Sequence, residues 1–146
     1  MLFNQISHFQ KLARKNFEDF GELAPVMFGV YKDPETGEYI QKIIGLVFGP
    51  EDKDAFTNFL CNEIRNNNLK EYLLVLESWI TEFNIEGIPK KSECVMMVYS
   101  SAKQEKVCMS SISRSPDRLG EWKDYNAKNM QGRFLGLYKK AVAEWN

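Results

Sequence analysis

The stretch that decides the fold runs over residues 72–83 and reads Tyr72-Leu-Leu-Val-Leu-Glu-Ser-Trp-Ile-Thr-Glu-Phe83. It is rich in aliphatic and aromatic residues and contains neither glycine nor proline, which predicts one long β-strand. Two further apolar segments follow at Glu93–Ser101 and Lys106–Ser113, around a turn at residues 102–105. Together the three segments predict an antiparallel three-stranded meander.

A helix and a hairpin are predicted before this meander. Apolar side chains recur at helical spacing from about residue 4 to residue 20, with charged residues between them, and Gly21 ends the pattern. Residues 25–31 and 39–48 then flank the turn Asp33-Pro34-Glu35-Thr36-Gly37. Proline and glycine at these places are typical of a tight turn, so the two segments predict a β-hairpin.

Two more helices complete the chain. Pro50-Glu51-Asp52 has the first-turn proline and acidic residues of a helix start, and Asn66-Asn67-Asn68 ends this second helix. From Ala127 to Trp145 apolar residues again recur at helical spacing, despite Gly132 and Gly136. The last segment is therefore predicted to be a C-terminal helix.

The predicted order is α-β-β-α-β-β-β-α, which corresponds to a single α+β domain over residues 1–146. Its sheet is expected to be antiparallel with about five strands, and the helices are expected to pack against it. This order resembles that of the profilin-like and roadblock-like folds. The resemblance concerns topology alone and implies no function.

Charge and hydropathy argue against several classes of partner. The net charge of -1 gives no global attraction to nucleic acid, although the basic C-terminal third keeps that partner as an alternative if its cations converge on one face. The longest apolar runs span five residues, far short of the about 20 that a membrane helix needs. The three cysteines form no CxxC pair, which indicates buried thiols in a reducing, cytoplasmic setting.

Familiar catalytic motifs are missing or lack their structural context. His8 is the only histidine, which excludes two-histidine metal sites, and we predict no metal. The sequence has no phosphate-binding glycine loop, so no cofactor is predicted. Asp117 with Glu121-Trp122-Lys123 follows the order of a nuclease motif, but the gap leaves no room for the required hairpin. Ser100 and Lys103 have acyl-enzyme spacing, but they lie at a predicted turn rather than on a helix.

Glu77 is the most informative polar residue, because it lies in an apolar strand on the same face as Trp79. A carboxylate in this position must be paired, desolvated with a raised pKa, or exposed at an edge. A structural ion pair or a partly exposed strand face is favoured over a catalytic acid. The candidate partners from the C-terminal third are Arg114, Arg118 and Arg133.

Aromatic residues offer a second kind of site. Trp79, Trp122 and Trp145 could anchor a partner protein, because tryptophan gives a large contact area at low entropy cost. Core packing explains Trp79 equally well. Trp145 is more suggestive, since a tryptophan next to the end of this sequence is expected to dock onto something, with its own domain favoured.

Three short motifs carry a resemblance to other proteins. They are Glu77-Ser78-Trp79, Gly120-Glu121-Trp122 and Gly132-Arg133-Phe134-Leu135-Gly136. In these motifs the chain resembles an uncharacterised group of small phage and bacterial proteins. The resemblance covers the C-terminal half, implies a prokaryotic or phage origin, and supplies no catalytic residues.

The sequence therefore favours a non-enzymatic accessory protein that binds another protein or itself through a sheet face, a sheet edge or the aromatic C-terminal region. The alternative is a small enzyme or ligand-binding domain whose pocket contains Glu77, an arginine and Trp79. A concave site at Glu77 would favour the alternative, whereas a flat apolar patch would favour protein binding.

Overall fold

The computed structural model describes residues 2–45, 53–130 and 135–145. Its helices are α1 (Ile6–Phe20), α2 (Lys53–Asn66) and α3 (Leu137–Trp145), with single 3-10 turns at Phe3–Gln5 and Ala127–Asn129. Its strands are β1 (Val26–Lys32), β2 (Tyr39–Gly45), β3 (Leu69–Phe83), β4 (Pro89–Ser101), β5 (Glu105–Ser113), β6 (Arg118–Leu119) and β7 (Lys123–Tyr125).

The described strands form one antiparallel sheet in the order β2-β1-β3-β4-β5-β6, with β7 also paired to β5. The predicted α+β class and antiparallel sheet are confirmed. The predicted number of about five strands is wrong, because the described sheet has seven. The additional strands β6 and β7 are two and three residues long, which is too short for an alternating pattern to be recognised.

Helix α1 covers one face of the sheet. Its buried side chains, among them Phe9 and Phe17, pack against Leu73 and Val75 of β3 and Met97 of β4. The helix ends as predicted, since Gly21 has a left-handed φ of 75° and its N–H donates to the carbonyl of Phe17.

Helices α2 and α3 cover the opposite face. Leu60 of α2 and Ala141 of α3 lie in a second core with Tyr72, Leu74 and Val98. Successive residues of β3 therefore enter cores on opposite sides of the sheet. This explains why β3 reads as an almost continuous apolar run rather than as an alternating one.

The predicted C-terminal helix is wrong in its first part. Asn126 accepts a hydrogen bond from the backbone of Lys128 at 3.0 Å and caps a single 3-10 turn, after which Met130 has extended backbone (φ -116°, ψ 150°). Gly136 has a left-handed φ of 71°, and α3 begins only at Leu137. The predicted helical stretch at residues 131–134 lies outside the described residues.

Within the described ranges, no helix has the length and apolar content that crossing a bilayer requires.

Candidate functional site

Glu77 lies on the α1 side of β3, opposite Val95 of β4. Its Oε1 atom is buried and has no hydrogen-bond partner among the described residues. Burial raises the pKa of this carboxyl, while the nearby Arg114 guanidinium and the backbone amide of Leu23 oppose the rise. The negative charge of Glu93 raises the pKa further. Glu77 is thus a half-buried, incompletely satisfied carboxyl.

Arg114 is the cation that the structure places beside Glu77, but its contacts go elsewhere. Its Nη1 atom donates to the carbonyl of Gly21 at 2.7 Å and to Asp117 Oδ1 at 3.2 Å. Its Nε atom lies 3.4 Å from Glu93 Oε2, and the guanidinium stacks over the ring of Phe17 at 5.1 Å. Arg114 therefore ties the end of α1 to β4 and to the turn after β5.

The other predicted site residues are not brought to Glu77. Arg118 lies exposed on β6, opposite Ser113 of β5. Arg133 lies outside the described residues. Trp145 is the last residue of α3, and its side chain also lies outside the described part of the chain. Trp79 does lie at the same corner of the sheet as Glu77 and Arg114. It is the cross-strand neighbour of Glu93, which is the ion-pair partner of Arg114.

Strands β3 and β4 extend beyond the rest of the sheet at this corner. Strand β3 pairs with β1 only as far as Val75. Strand β4 pairs with β5 only from Cys94 onward. From the Trp79–Glu93 pair to the Phe83–Pro89 pair, β3 and β4 pair only with each other among the described strands. We call residues 79–93, with their connecting turn, the arm.

The arm carries large apolar side chains that are exposed to solvent. Trp79 and Phe83 lie on the same face and are 65% and 69% exposed. Ile85 and Ile88 in the connecting turn are exposed as well. The turn itself is ordered by Asn84, whose Oδ1 accepts from the backbone of Ile88 at 2.9 Å. The result is an ordered two-stranded ribbon on which Trp79, Phe83, Ile85 and Ile88 are exposed, whereas Ile80, on the other face, packs against the core under α2 and α3.

Sequence analysis named Trp79 but missed its neighbours on the arm. In the sequence, Phe83 marks only the end of the predicted strand 72–83, and no element is predicted between it and Glu93. The isoleucines Ile85 and Ile88 are a sequence signal for an exposed apolar surface. Loop side chains are normally polar, and no turn type requires an isoleucine side chain.

Comparison with protein-family models, with curated proteins and with solved structures finds no match for this chain.

A buried carboxylate that sequence analysis also missed lies on β3, at the other end of the face that α1 covers. Glu71 Oε1 accepts from the backbone N–H of Leu2 at 2.6 Å, and Glu71 Oε2 accepts from the Tyr99 hydroxyl at 2.7 Å. Burial and the hydrogen bond to Glu71 raise the pKa of Tyr99 to about 12. Oε1 of Glu71 thus holds the chain just before the first helical segment on the sheet, and Oε2 is bonded to β4, which together give Glu71 a structural role.

Two cavities lie away from the corner. One of about 470 Å³ lies between the β1–β2 hairpin and the end of α2, and its lining includes Tyr31 and Glu63. The other, of about 410 Å³, lies between the β4–β5 turn and the start of α3, with Lys103, Lys128 and Lys139 around it. Neither cavity is lined by the predicted site residues Glu77, Trp79 and Arg114.

Proposed function

We propose that this protein is a small non-enzymatic accessory protein that binds another protein through the arm. The observation that supports this most directly is the exposure of Trp79, Phe83, Ile85 and Ile88 on one projecting ribbon. The proposal includes a phage or bacterial origin and action in the cytoplasm. It also includes, as a finer description of the fold, a profilin-like or roadblock-like topology.

Exposed apolar clusters are unfavourable unless something covers them. A side chain of this size gains roughly 1.5–3 kcal/mol when it passes from exposed to buried. The arm carries four such side chains within residues 79–88, whereas scattered single ones are normal on a protein surface. An isolated two-stranded hairpin is also only marginally stable in water, so a partner would stabilise the arm as well.

The chemistry of the arm favours a protein partner. Trp79 and Phe83 are rigid aromatic anchors, and Thr81, Lys91 and Glu93 lie on the same face between and opposite them. Apolar anchors with a mixed polar surround are typical of protein interfaces. Arg114, which holds Glu93, fixes the base of this surface.

A ligand site at Glu77 is the second candidate. The observation that favours it is the buried Oε1 atom without a partner, since a ligand donor could satisfy it. This candidate requires a concave site at Glu77, and both described cavities lie elsewhere.

The test uses a photoactivatable amino acid placed at Ile85 of the tagged protein, with the same group at Lys15 on the exposed side of α1 as the control. Crosslinking in host cells should give one discrete adduct from the arm position and none from the control. The double variant Trp79→Ser/Phe83→Ser, carrying the same group at Ile85, should lose the adduct while keeping the circular dichroism of the native protein.

Equal crosslinking from both positions, or an adduct that survives the double variant, would show that the arm is not the binding surface. If a small molecule copurified and was lost in Glu77→Gln but not in the arm variant, the second candidate would replace the first.

A further inference from the structure

The outer edge of β2 is a second unpartnered feature, and it lies at the far side of the sheet from β6. Residues 39–43 of β2 are exposed, and among the described strands β2 pairs only with β1. An edge strand presents a row of free backbone donors and acceptors, which makes it a template for another strand. The opposite edge of the sheet is made of strands of two and three residues, which is a common natural protection.

Both faces of β2 carry exposed apolar side chains. Residues that lie opposite each other in an antiparallel pair share a face, so Ile43 lies on the α1 side with Phe28 of β1, and Ile40 lies on the α2 side with Tyr31. Tyr39 lies on the same side as Ile43, which is 70% exposed. A seven-residue strand with these side chains is long and apolar enough to be extended by pairing.

Lys42 is the charged residue that could prevent such pairing, because lysine on an edge strand commonly blocks association. Its Nζ atom, however, lies 5.0 Å from the centre of the Tyr31 ring. The ammonium group thus lies over β1, away from the outer edge of β2, and no described strand occupies that edge.

From these observations we infer that the protein forms a homodimer in which the β2 strands of two copies pair antiparallel around Gln41. A two-fold axis perpendicular to the sheet keeps each side chain on its own face of the sheet. Each residue of one copy can therefore pair only with a residue that lies on the same face in the other copy. Centring the axis on Lys42 would oppose the two lysines. Centring it on Ile40 would place Ile43 opposite Gly37, which lies in the turn with a φ of 73°.

Centring the axis on Gln41 gives the most favourable cross-strand pairs between the two copies. Tyr39 of each copy then lies opposite Ile43 of the other, and Ile40 lies opposite the aliphatic stem of Lys42. Aromatic and β-branched residues form favourable cross-strand pairs. This inference goes beyond the proposed function and uses a different surface. Because few residues pair on each side, we expect a dimer whose population depends on concentration.

The first experiment is analytical ultracentrifugation across roughly 1 μM to 1 mM, a range that brackets weak to moderate dimers. The sedimentation coefficient should rise with concentration. Ile43→Lys, which places a charge opposite Tyr39 in both copies, should weaken the dimer at least tenfold. Ile85→Lys, which changes a still more exposed isoleucine on the arm, is the control for the added charge and should leave the dimer unchanged.

The register is tested by mild oxidation of two single-site variants. Gln41→Cys should form a disulfide-linked dimer, because directly opposite residues have Cα atoms about 4.5–5.5 Å apart, within disulfide range. Lys42→Cys should not, because its two copies are offset by more than ~7 Å. The native cysteines are buried and should not interfere.

A protein that stays monomeric over the whole range would overturn the inference. So would a dimer abolished by Ile85→Lys rather than by Ile43→Lys, or equal disulfide formation by Gln41→Cys and Lys42→Cys. A monomer, or equal disulfide formation, leaves crosslinking from the arm unaffected, so the proposed function is judged separately. A dimer abolished by Ile85→Lys would instead place self-association on the arm, and the adduct from Ile85 would then be a second copy of this chain.

Discussion

Two glutamates on the same face of β3 show how differently one residue type can be used. Glu71 is buried with both oxygens bonded, whereas Glu77 is half-buried with one oxygen unpartnered. The sequence shows the two glutamates six residues apart with nothing to distinguish their environments. Their different roles come from what each meets across the sheet and from α1.

For Glu77 we predict a stability effect that depends on pH. Its pKa is raised in the folded protein, so folding favours the protonated form, and the folded state loses stability as the pH rises through the ordinary glutamate value and then the raised one. Glu77→Gln removes this loss. Relative to wild type, the variant should therefore gain in free energy of unfolding between about pH 4 and pH 7, measured by urea denaturation.

Glu86→Gln on the exposed turn of the arm is the control for loss of one negative charge, and it should show no such trend. If Glu77→Gln became less stable than wild type toward pH 7, attraction to Arg114 would outweigh burial, and Glu77 would be one half of an ion pair.

For Glu71 we predict a large loss of stability on truncation. Glu71→Ala leaves the buried N–H of Leu2 and the hydroxyl of Tyr99 without an acceptor, at about 1–3 kcal/mol for each group. Chemical denaturation should therefore give a loss of about 2–6 kcal/mol. Tyr99→Phe leaves only the buried Glu71 Oε2 without its donor and should cost about 1–3 kcal/mol, less than Glu71→Ala. Similar losses for the two variants would mean that Leu2 finds another acceptor.

At the scale of elements, the arm follows from the difference in length between a helix and a strand. α1 and β3 both contain 15 residues. A helix of this length spans about 22 Å, whereas a strand spans about 50 Å. The helix therefore cannot cover the strand to its end, and Trp79, Thr81 and Phe83, which follow Glu77 on the same face, project past the α1 core. The sequence predicts both elements, but their relative lengths in space explain why Trp79 is exposed.

The junction between α1 and the arm should be sensitive at Gly21. A Cβ atom there would lie 2.7 Å from Asp117 Oδ2, and Asp117 is a partner of Arg114. Gly21→Ala should cost about 1–2 kcal/mol for the left-handed backbone, plus the cost of displacing Asp117. Gly37→Ala is the matched control, because Gly37 also has a positive φ but a Cβ atom there would have nothing within 4 Å.

Urea denaturation of both variants measures the difference. Gly21→Ala should be the less stable of the two. Equal losses would mean that Asp117 moves aside without cost and that the Arg114 contacts do not hold the junction.

At the scale of the whole molecule, the two cores on opposite faces of the sheet are expected to unfold together as one domain. Cys61 and Cys94 lie in the core under α2 and α3, and Cys108 lies in the core under α1. Burial raises the pKa of Cys94 to about 11 and also raises that of Cys108, so both thiols are unreactive in the native protein.

All three cysteines are buried, so they should be protected from a thiol reagent at neutral pH and become labelled at the same urea concentration, which peptide mass spectrometry follows. If Cys108 were labelled at a lower concentration than Cys61 and Cys94, the α1 layer would open separately, and the single cooperative domain would be refuted.

The sequence by itself determined the elements and the class of the fold. The amphipathic period of α1, its end at Gly21, the turn at residues 33–37 and the apolar run of β3 are local patterns, and each appears in the structure. The short strands β6 and β7 and the late start of α3 were not predicted. Two or three residues carry no period, and the break before α3 depends on the backbone of Gly136 rather than on hydropathy.

Only the tertiary structure decided what each side chain on those elements does. Burial depends on neighbours that are distant in sequence, so a local pattern cannot show that α1 stops short of Trp79 and Phe83. The same reason explains why Glu71 and Glu77 could not be told apart, and why Arg114 rather than Arg118 lies beside Glu77. The exposed arm and the open edge of β2 are therefore consequences of packing, which the sequence encodes only through the whole fold.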